Sequence, residues 1–221
     1  MQQFAVIFDM DGVLVDSYHA HFESWRLLYG ELGRNYSEAE FAADFGRTSR
    51  DILRRTLGSE LSDAQIRDFD LRKESLYRDI IRQSFPAMDG AIELIEALAA
   101  DGFLLAIGSS GPTENIDLCL ERMGSSERFV AVVTGADVTR GKPDPQVFLL
   151  AAERLGVQPK LCCVVEDAPH GVEAARNAGM KCVALTGTAT RDQLDRSELV
   201  VDSLRELTPA LVRNLIVRGL T

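Results

Sequence analysis

The chain has 221 residues, 46% of them hydrophobic, with 24 Lys and Arg against 34 Asp and Glu and a formal net charge of −10. That is enough apolar material for one large α/β domain, or for a core domain plus a small insert, and it argues against disorder. The acidic balance argues against a nucleic-acid partner and against an anionic membrane surface.

An apolar run at residues 4–7 reads as a buried parallel strand and leads directly into Phe8-Asp9-Met10-Asp11-Gly12-Val13. Alternation along an extended chain would aim Asp9 and Asp11 to the same side, and Gly12 would let the backbone turn sharply. Two carboxylates at the carboxyl end of a strand repel unless a cation or a shared proton lies between them. The pair therefore reads as a divalent-metal or an acid–base site; the alternative for the fragment alone is a solvated turn.

From about residue 16 to 85 strand-like runs are scarce and amphipathic helical patterns prevail. Phe22, Trp25, Leu28 and Leu32 share helical spacing, as do Ile52, Leu53 and Leu57. This reads as a small helical insert, with boundaries expected at 16 and 86, between a core made of residues 1–15 and 87–221.

After Pro86 the pattern changes to alternating helices and strands. Helices are expected at 91–100, at 145–155 with Pro145 in its first turn, and at 171–178 before Gly179. Strands are expected at 103–107, 129–134, 162–165, 182–185 and 199–201. This alternation predicts a doubly wound, Rossmann-like parallel sheet.

Three further clusters fall at the ends of these runs. Ser109-Ser110-Gly111-Pro112 places hydroxyls where a helix N-terminus suits an anion, although a serine there also suits an ordinary cap. In Gly141-Lys142-Pro143-Asp144-Pro145, Pro143 biases Lys142 towards extended backbone, which aims a compact ammonium suited to phosphate. Glu166 and Asp167 end a buried run, where adjacent acids are costly without a cation; their oxygens suit Mg2+. The order Asp-x-Asp, Ser, Lys, acid pair, on four predicted strand ends, points to one site.

With those four motifs, the sequence resembles the haloacid dehalogenase superfamily along essentially the whole chain. The insert after the first motif resembles the subgroup with a small α-helical cap, which includes the β-phosphoglucomutases and related sugar-phosphate phosphatases. The resemblance implies Asp9 as a nucleophile that accepts a phosphoryl group and Asp11 as general acid–base. It implies that Ser109, with Ser110 beside it, and Lys142 hold the phosphoryl oxygens. It implies Mg2+ held by Asp9, the backbone carbonyl of Asp11, Asp167 and Glu166, the last as ligand or as partner of a ligand. The second aspartate argues against dehalogenase and phosphonatase activity.

Within the insert, His21, Trp25 and Lys73 match residues found in both the mutases and the phosphatases. Arg47 or Arg50, in Gly46-Arg47-Thr48-Ser49-Arg50, would bind a distal phosphate, but their spacing is one residue off the mutase pattern. The resemblance implies that His21 and Lys73 bind substrate, and the expected function is a Mg2+-dependent phosphatase of a small phosphorylated metabolite, a sugar phosphate by preference, with a β-phosphoglucomutase-type phosphomutase as the alternative and a phospho-accepting regulatory or binding domain as a more distant one. A monomer is what the resemblance implies.

Cys119, Cys162, Cys163 and Cys182 show no CxxC spacing and read as small core residues of a reducing compartment, so a cytoplasmic location is expected. No basic leader precedes the first apolar run and no apolar stretch is long enough to cross a bilayer.

Overall fold

A computed structural model describes residues 3–44 and 47–219. In chain order the elements are β1 (Ala5–Phe8), α1 (Tyr18–Glu31), α2 (Glu38–Asp44), α3 (Ser49–Leu57), α4 (Asp63–Gln83), α5 (Ala91–Ala100), β2 (Leu104–Gly108), α6 (Thr113–Met123), β3 (Phe129–Val133), α7 (Gln146–Leu155), β4 (Cys162–Glu166), α8 (Pro169–Asn177), β5 (Lys181–Leu185), β6 (Leu199–Val201) and α9 (Pro209–Arg218). Two compact units result: Met1–Asp16 with Pro86–Thr221, and Ser17–Phe85.

The first unit is a six-stranded sheet in the order β3-β2-β1-β4-β5-β6, parallel throughout. Buried on both faces, its central strands are continuous apolar runs: every residue of β1 and of β4 is buried. The strand order reverses at β1, which pairs with β2 on one side and β4 on the other. In doubly wound sheets the crevice at such a reversal, beyond the carboxyl ends of the strands, is where ligands bind. The chain leaves and re-enters this unit side by side: Asp16 N–H donates to Pro86 O and Met88 N–H to Leu14 O.

Several element ends differ from the sequence reading by a residue. β4 runs on to Glu166, and α7 starts at Gln146 with Pro145 as its cap. The capping oxygen still comes from Asp144, whose Oδ1 accepts from Gln146 N–H at 3.0 Å. The larger correction is at Asp-x-Asp. β1 ends at Phe8, and from Met10 the chain folds back on itself, with Leu14 and Val15 N–H donating to Met10 O. Asp11 therefore lies beyond the strand, bridged to Val15 across a turn over residues 12–14.

The second unit packs α1 and α3 against α4 around an aromatic core of Phe22, Trp25, Tyr29, Tyr36 and Phe41 with Ile52, Leu53 and Ile66. Tyr29 and Tyr36 stack with centroids 4.6 Å apart. Leu32, assigned to the apolar stripe by its spacing, follows the last residue of α1 and is exposed. Asp44 is buried in this unit and accepts from the Tyr36 hydroxyl and from the Arg55 guanidinium. Among the described residues no helix is long and apolar enough to cross a membrane. The four cysteines are buried and unpaired by disulfide; burial pushes the Cys162 and Cys163 thiols up to about 12, so they are inert thiols.

Candidate active site

Asp9 follows β1, and its N–H still pairs with Val165 O at 3.0 Å, so the sheet carries it beside the end of β4. Lys142, from the loop before α7, donates from Nζ to Asp9 Oδ1 at 2.8 Å and to Glu166 Oε1 at 2.6 Å. Its ammonium also lies 4.9 Å from the centre of the Phe148 ring. The lysine and both acids are almost wholly enclosed, with side chains 11%, 12% and 1% exposed.

Glu166 is held more completely than the others. Its Oε2 accepts the N–H of Asp167 at 2.8 Å and of Ala168 at 2.9 Å. The carboxylate folds back beneath the first turn of α8, where a Cβ on Gly171 would lie 1.8 Å from Oε1. Gly171 is thus needed for space alone, five residues after the acid, and sequence reading missed it. Gly12 serves Asp167 in the same way. A Cβ there would lie 1.9 Å from Asp167 Oδ2, and the residue has φ +74° besides.

Asp9, Glu166 and Asp167 each offer an oxygen, all within 4.8 Å of one another. Burial raises the Asp9 carboxyl to about 7; Lys142 opposes this, and the charges of Glu166 and Asp11 reinforce it. Burial, with the neighbouring Glu166 and Asp9, likewise lifts Asp167 well above the ordinary range, against the pull of the Thr188 hydroxyl and Lys142. Burial alone would lower the Lys142 ammonium, but Asp9 and Glu166 outweigh it and the group is raised. Among the described residues, three buried carboxylates here share one ammonium. That imbalance, with an all-oxygen donor set, fits a hard divalent cation such as Mg2+.

Asp11 stands outside this group of three. Its Oδ2 and Ser109 Oγ lie 3.8 Å and 3.4 Å from the point where a Cβ on Gly111 would sit, so its carboxylate faces the loop after β2. In that loop Ser109 is buried, accepting from Gly111 N–H at 3.1 Å, while Ser110 is exposed. Gly135 lets a second loop close on it: its N–H donates to Gly111 O, and a Cβ would lie 2.5 Å from Ser110 O. The four strand-end clusters therefore converge, with Asp9, Lys142, Glu166 and Asp167 in mutual reach and Asp11 with Ser109 beside Asp9.

In the helical unit, Lys73 Nζ lies 2.9 Å from His21 Nδ1 and 2.8 Å from Glu74 Oε1. His21 stacks on Tyr77 with centroids 4.3 Å apart, and the Lys73 ammonium lies 5.7 Å from the Trp25 ring centre. Arg47 lies 3.7 Å from Asp44, and Arg50 pairs with Asp63 at 2.7 Å; both arginines are exposed. Gly46, in the segment expected to bind a distal phosphate, lies outside the described residues. Because the Lys73–Glu74 pair is buried, Lys73→Met is expected to lower stability by about 3 kcal/mol, and Lys73→Met with Glu74→Gln to recover part of that loss, measured by urea unfolding.

The family model for haloacid dehalogenase-like hydrolases matches residues 5–179, spanning all four clusters. The chain belongs to the haloacid dehalogenase-like hydrolases. The phosphorylated carbohydrates phosphatase of Thermotoga maritima is 34% identical over 180 residues, covering 80% of this hydrolase and 82% of that protein. The β-phosphoglucomutase of Bacillus subtilis is 29% identical over 215 residues, covering 94% and 93%. A crystal structure of a family IA, variant 3 hydrolase from Entamoeba histolytica superposes with a TM-score of 0.88 at 28% identity, covering 98% of this hydrolase and 100% of that chain.

A variant that fills the space over Gly12 tests the packing of this hydrolase's acid cluster. Gly12→Ala is expected to cost about 1–2 kcal/mol from its positive φ alone. The displaced Asp167 should also weaken Mg2+ affinity at least tenfold, read by isothermal titration.

Proposed function

We propose that this enzyme is a Mg2+-dependent phosphatase of a small phosphorylated metabolite, a sugar phosphate by preference, working through a phosphoryl group carried on Asp9. The observation that supports this most is the Asp9 carboxylate, buried and held by Lys142 beside two further acids at the sheet's reversal point. An Asp9 oxygen attacks phosphorus as the bond to the leaving sugar oxygen breaks, and Asp11 gives that oxygen a proton. Asp11 then takes a proton from water as the water oxygen attacks phosphorus, and the bond to Asp9 breaks to release inorganic phosphate.

Ser109, with Ser110, and Lys142 hold the phosphoryl oxygens in this reading, the lysine as the point charge that offsets their repulsion from Asp9. Asp9, Asp167 and the Asp11 backbone carbonyl hold Mg2+, with Glu166 beside them. When bound, the cation neutralises charge on the transferring group. Substrate choice falls to the helical unit, as a cap bearing His21 and Lys73 with Arg47 and Arg50. The matching β-phosphoglucomutase favours a second reading, in which the phosphoryl group returns to another oxygen of the same sugar.

Phosphorus NMR on a panel of sugar phosphates with Mg2+, primed with a trace of glucose 1,6-bisphosphate, separates the two. Accumulating inorganic phosphate supports the phosphatase. Conversion of β-glucose 1-phosphate to glucose 6-phosphate with little free phosphate would replace it with the mutase.

A further inference from the structure

We infer that Asn177, the last residue of α8, is a positioning residue that aims Lys142 at the reacting phosphoryl group. This rests on the reading of Lys142 as a ligand of that group. Asn177 Nδ2 donates to the carbonyl of Pro143 at 3.0 Å, bridging 34 residues of sequence.

The reason for such an anchor lies in the lysine itself. A lysine side chain is a flexible stem with about 2 kcal/mol of rotamer entropy, so its ammonium is only as well placed as the backbone that carries it. The proline ring fixes φ at residue 143 and the preceding peptide unit is planar. Holding the Pro143 carbonyl therefore leaves ψ of Pro143 as the one soft torsion between the held group and the peptide that joins it to Lys142.

The rest of the loop is held from the other side. Asp144 N–H donates to Gly141 O at 3.0 Å, closing a turn around Lys142 and Pro143. The Gln146 side-chain oxygen accepts the backbone N–H of Thr139 and of Arg140, each at 3.0 Å. Those contacts shape the loop within itself and tie it to the start of α7, the next element in the chain. Asn177 ties it to a different element, and that element also sets the target of the ammonium. Glu166, which takes Lys142 Nζ at 2.6 Å, lies beneath the first turn of α8 in the space left by Gly171. The same helix thus holds the residue after the lysine at its last position and, at its first turn, leaves room for the carboxylate that takes the ammonium.

The test is the affinity of the Mg2+-loaded protein for orthovanadate, a five-coordinate mimic of the transferring phosphoryl group, by isothermal titration. Asn177→Ala and Asn177→Asp are expected to weaken vanadate three- to tenfold, the aspartate at least as much because it sets a carboxylate against a carbonyl. The stabilisation conferred by Mg2+ should stay unchanged, since Asn177 touches none of the acids. Lys142→Ala should weaken vanadate far more, and Asn177→Ala should add nothing in that background. Unchanged vanadate affinity in both Asn177 variants, or full additivity with Lys142→Ala, would overturn the inference. Unchanged affinity in Lys142→Ala would instead overturn the reading of Lys142 on which it rests.

Discussion

Asp9→Asn is expected to lower turnover by about 10⁴-fold or more, because an amide cannot accept and release a phosphoryl group as a carboxylate does. The fold should persist, since the substitution keeps the shape and an oxygen that accepts from Lys142. A second readout follows from the proton on Asp9. Its carboxyl is raised from 3.8 to about 7 by burial, against the pull of Lys142, in the protein without a cation. A group that binds its proton more tightly when folded contributes stability that is fully present below about pH 4 and is lost as pH rises through 7. The metal-free wild type should therefore melt at progressively lower temperature from pH 5 to pH 8. The amide of the Asp9→Asn variant carries no such proton, so the difference between the two melting curves should shift in favour of the variant over that window. On the proposed reading Mg2+ takes the ionised carboxylates, so it should stabilise the wild type more at pH 8 than at pH 5. Thermal melts of both proteins at each pH, with and without Mg2+, check this. A flat difference across the window would mean that Asp9 ionises without penalty.

Glu166→Ala is expected to be the most damaging change to stability in the sheet unit, by about 3–5 kcal/mol. The loss has three sources. The N–H groups of Asp167 and Ala168 lose their acceptor, Lys142 loses one of its two carboxylates, and a hole opens beneath Gly171. Activity in the folded fraction should fall about 10²–10³-fold as Lys142 loses its alignment. Glu166→Gln fills the space and keeps one acceptor oxygen, for the two backbone N–H groups or for Lys142 but not for both, so it should recover part of the stability while activity stays low. Urea unfolding and steady-state kinetics on the same samples separate the two effects.

Glu166 also shows where sequence reading stops. That a pair of acids ends a buried strand is legible in the letters Cys162 to Asp167. That the first acid folds back under a helix, takes two backbone N–H groups and grips a lysine 24 residues away is not. Gly171 gives no turn signal, because it sits inside a helix with ordinary φ; only the carboxylate beneath it explains the missing side chain. Asn177 looks like an ordinary polar residue at a helix end until Pro143 is found beside it.

The sequence by itself determined the class of architecture and supplied the candidate residues of the site. Periodicity and punctuation are local properties: four apolar letters followed by acids, Ser-Ser-Gly-Pro, or Gly-Lys-Pro are read within a few residues, and the alternation of strands and helices implies a parallel sheet. Tertiary structure decided the rest. The order β3-β2-β1-β4-β5-β6 places β1 and β4 side by side, which is why Asp9 and Glu166 meet at Lys142. The fold that brings the loop after β2 over the end of β1 sets Asp11 and Ser109 on either side of Gly111. The physical reason is common to these cases. Side-chain direction and proton affinity depend on which groups share a buried space, and that is set by contacts between residues far apart in the chain.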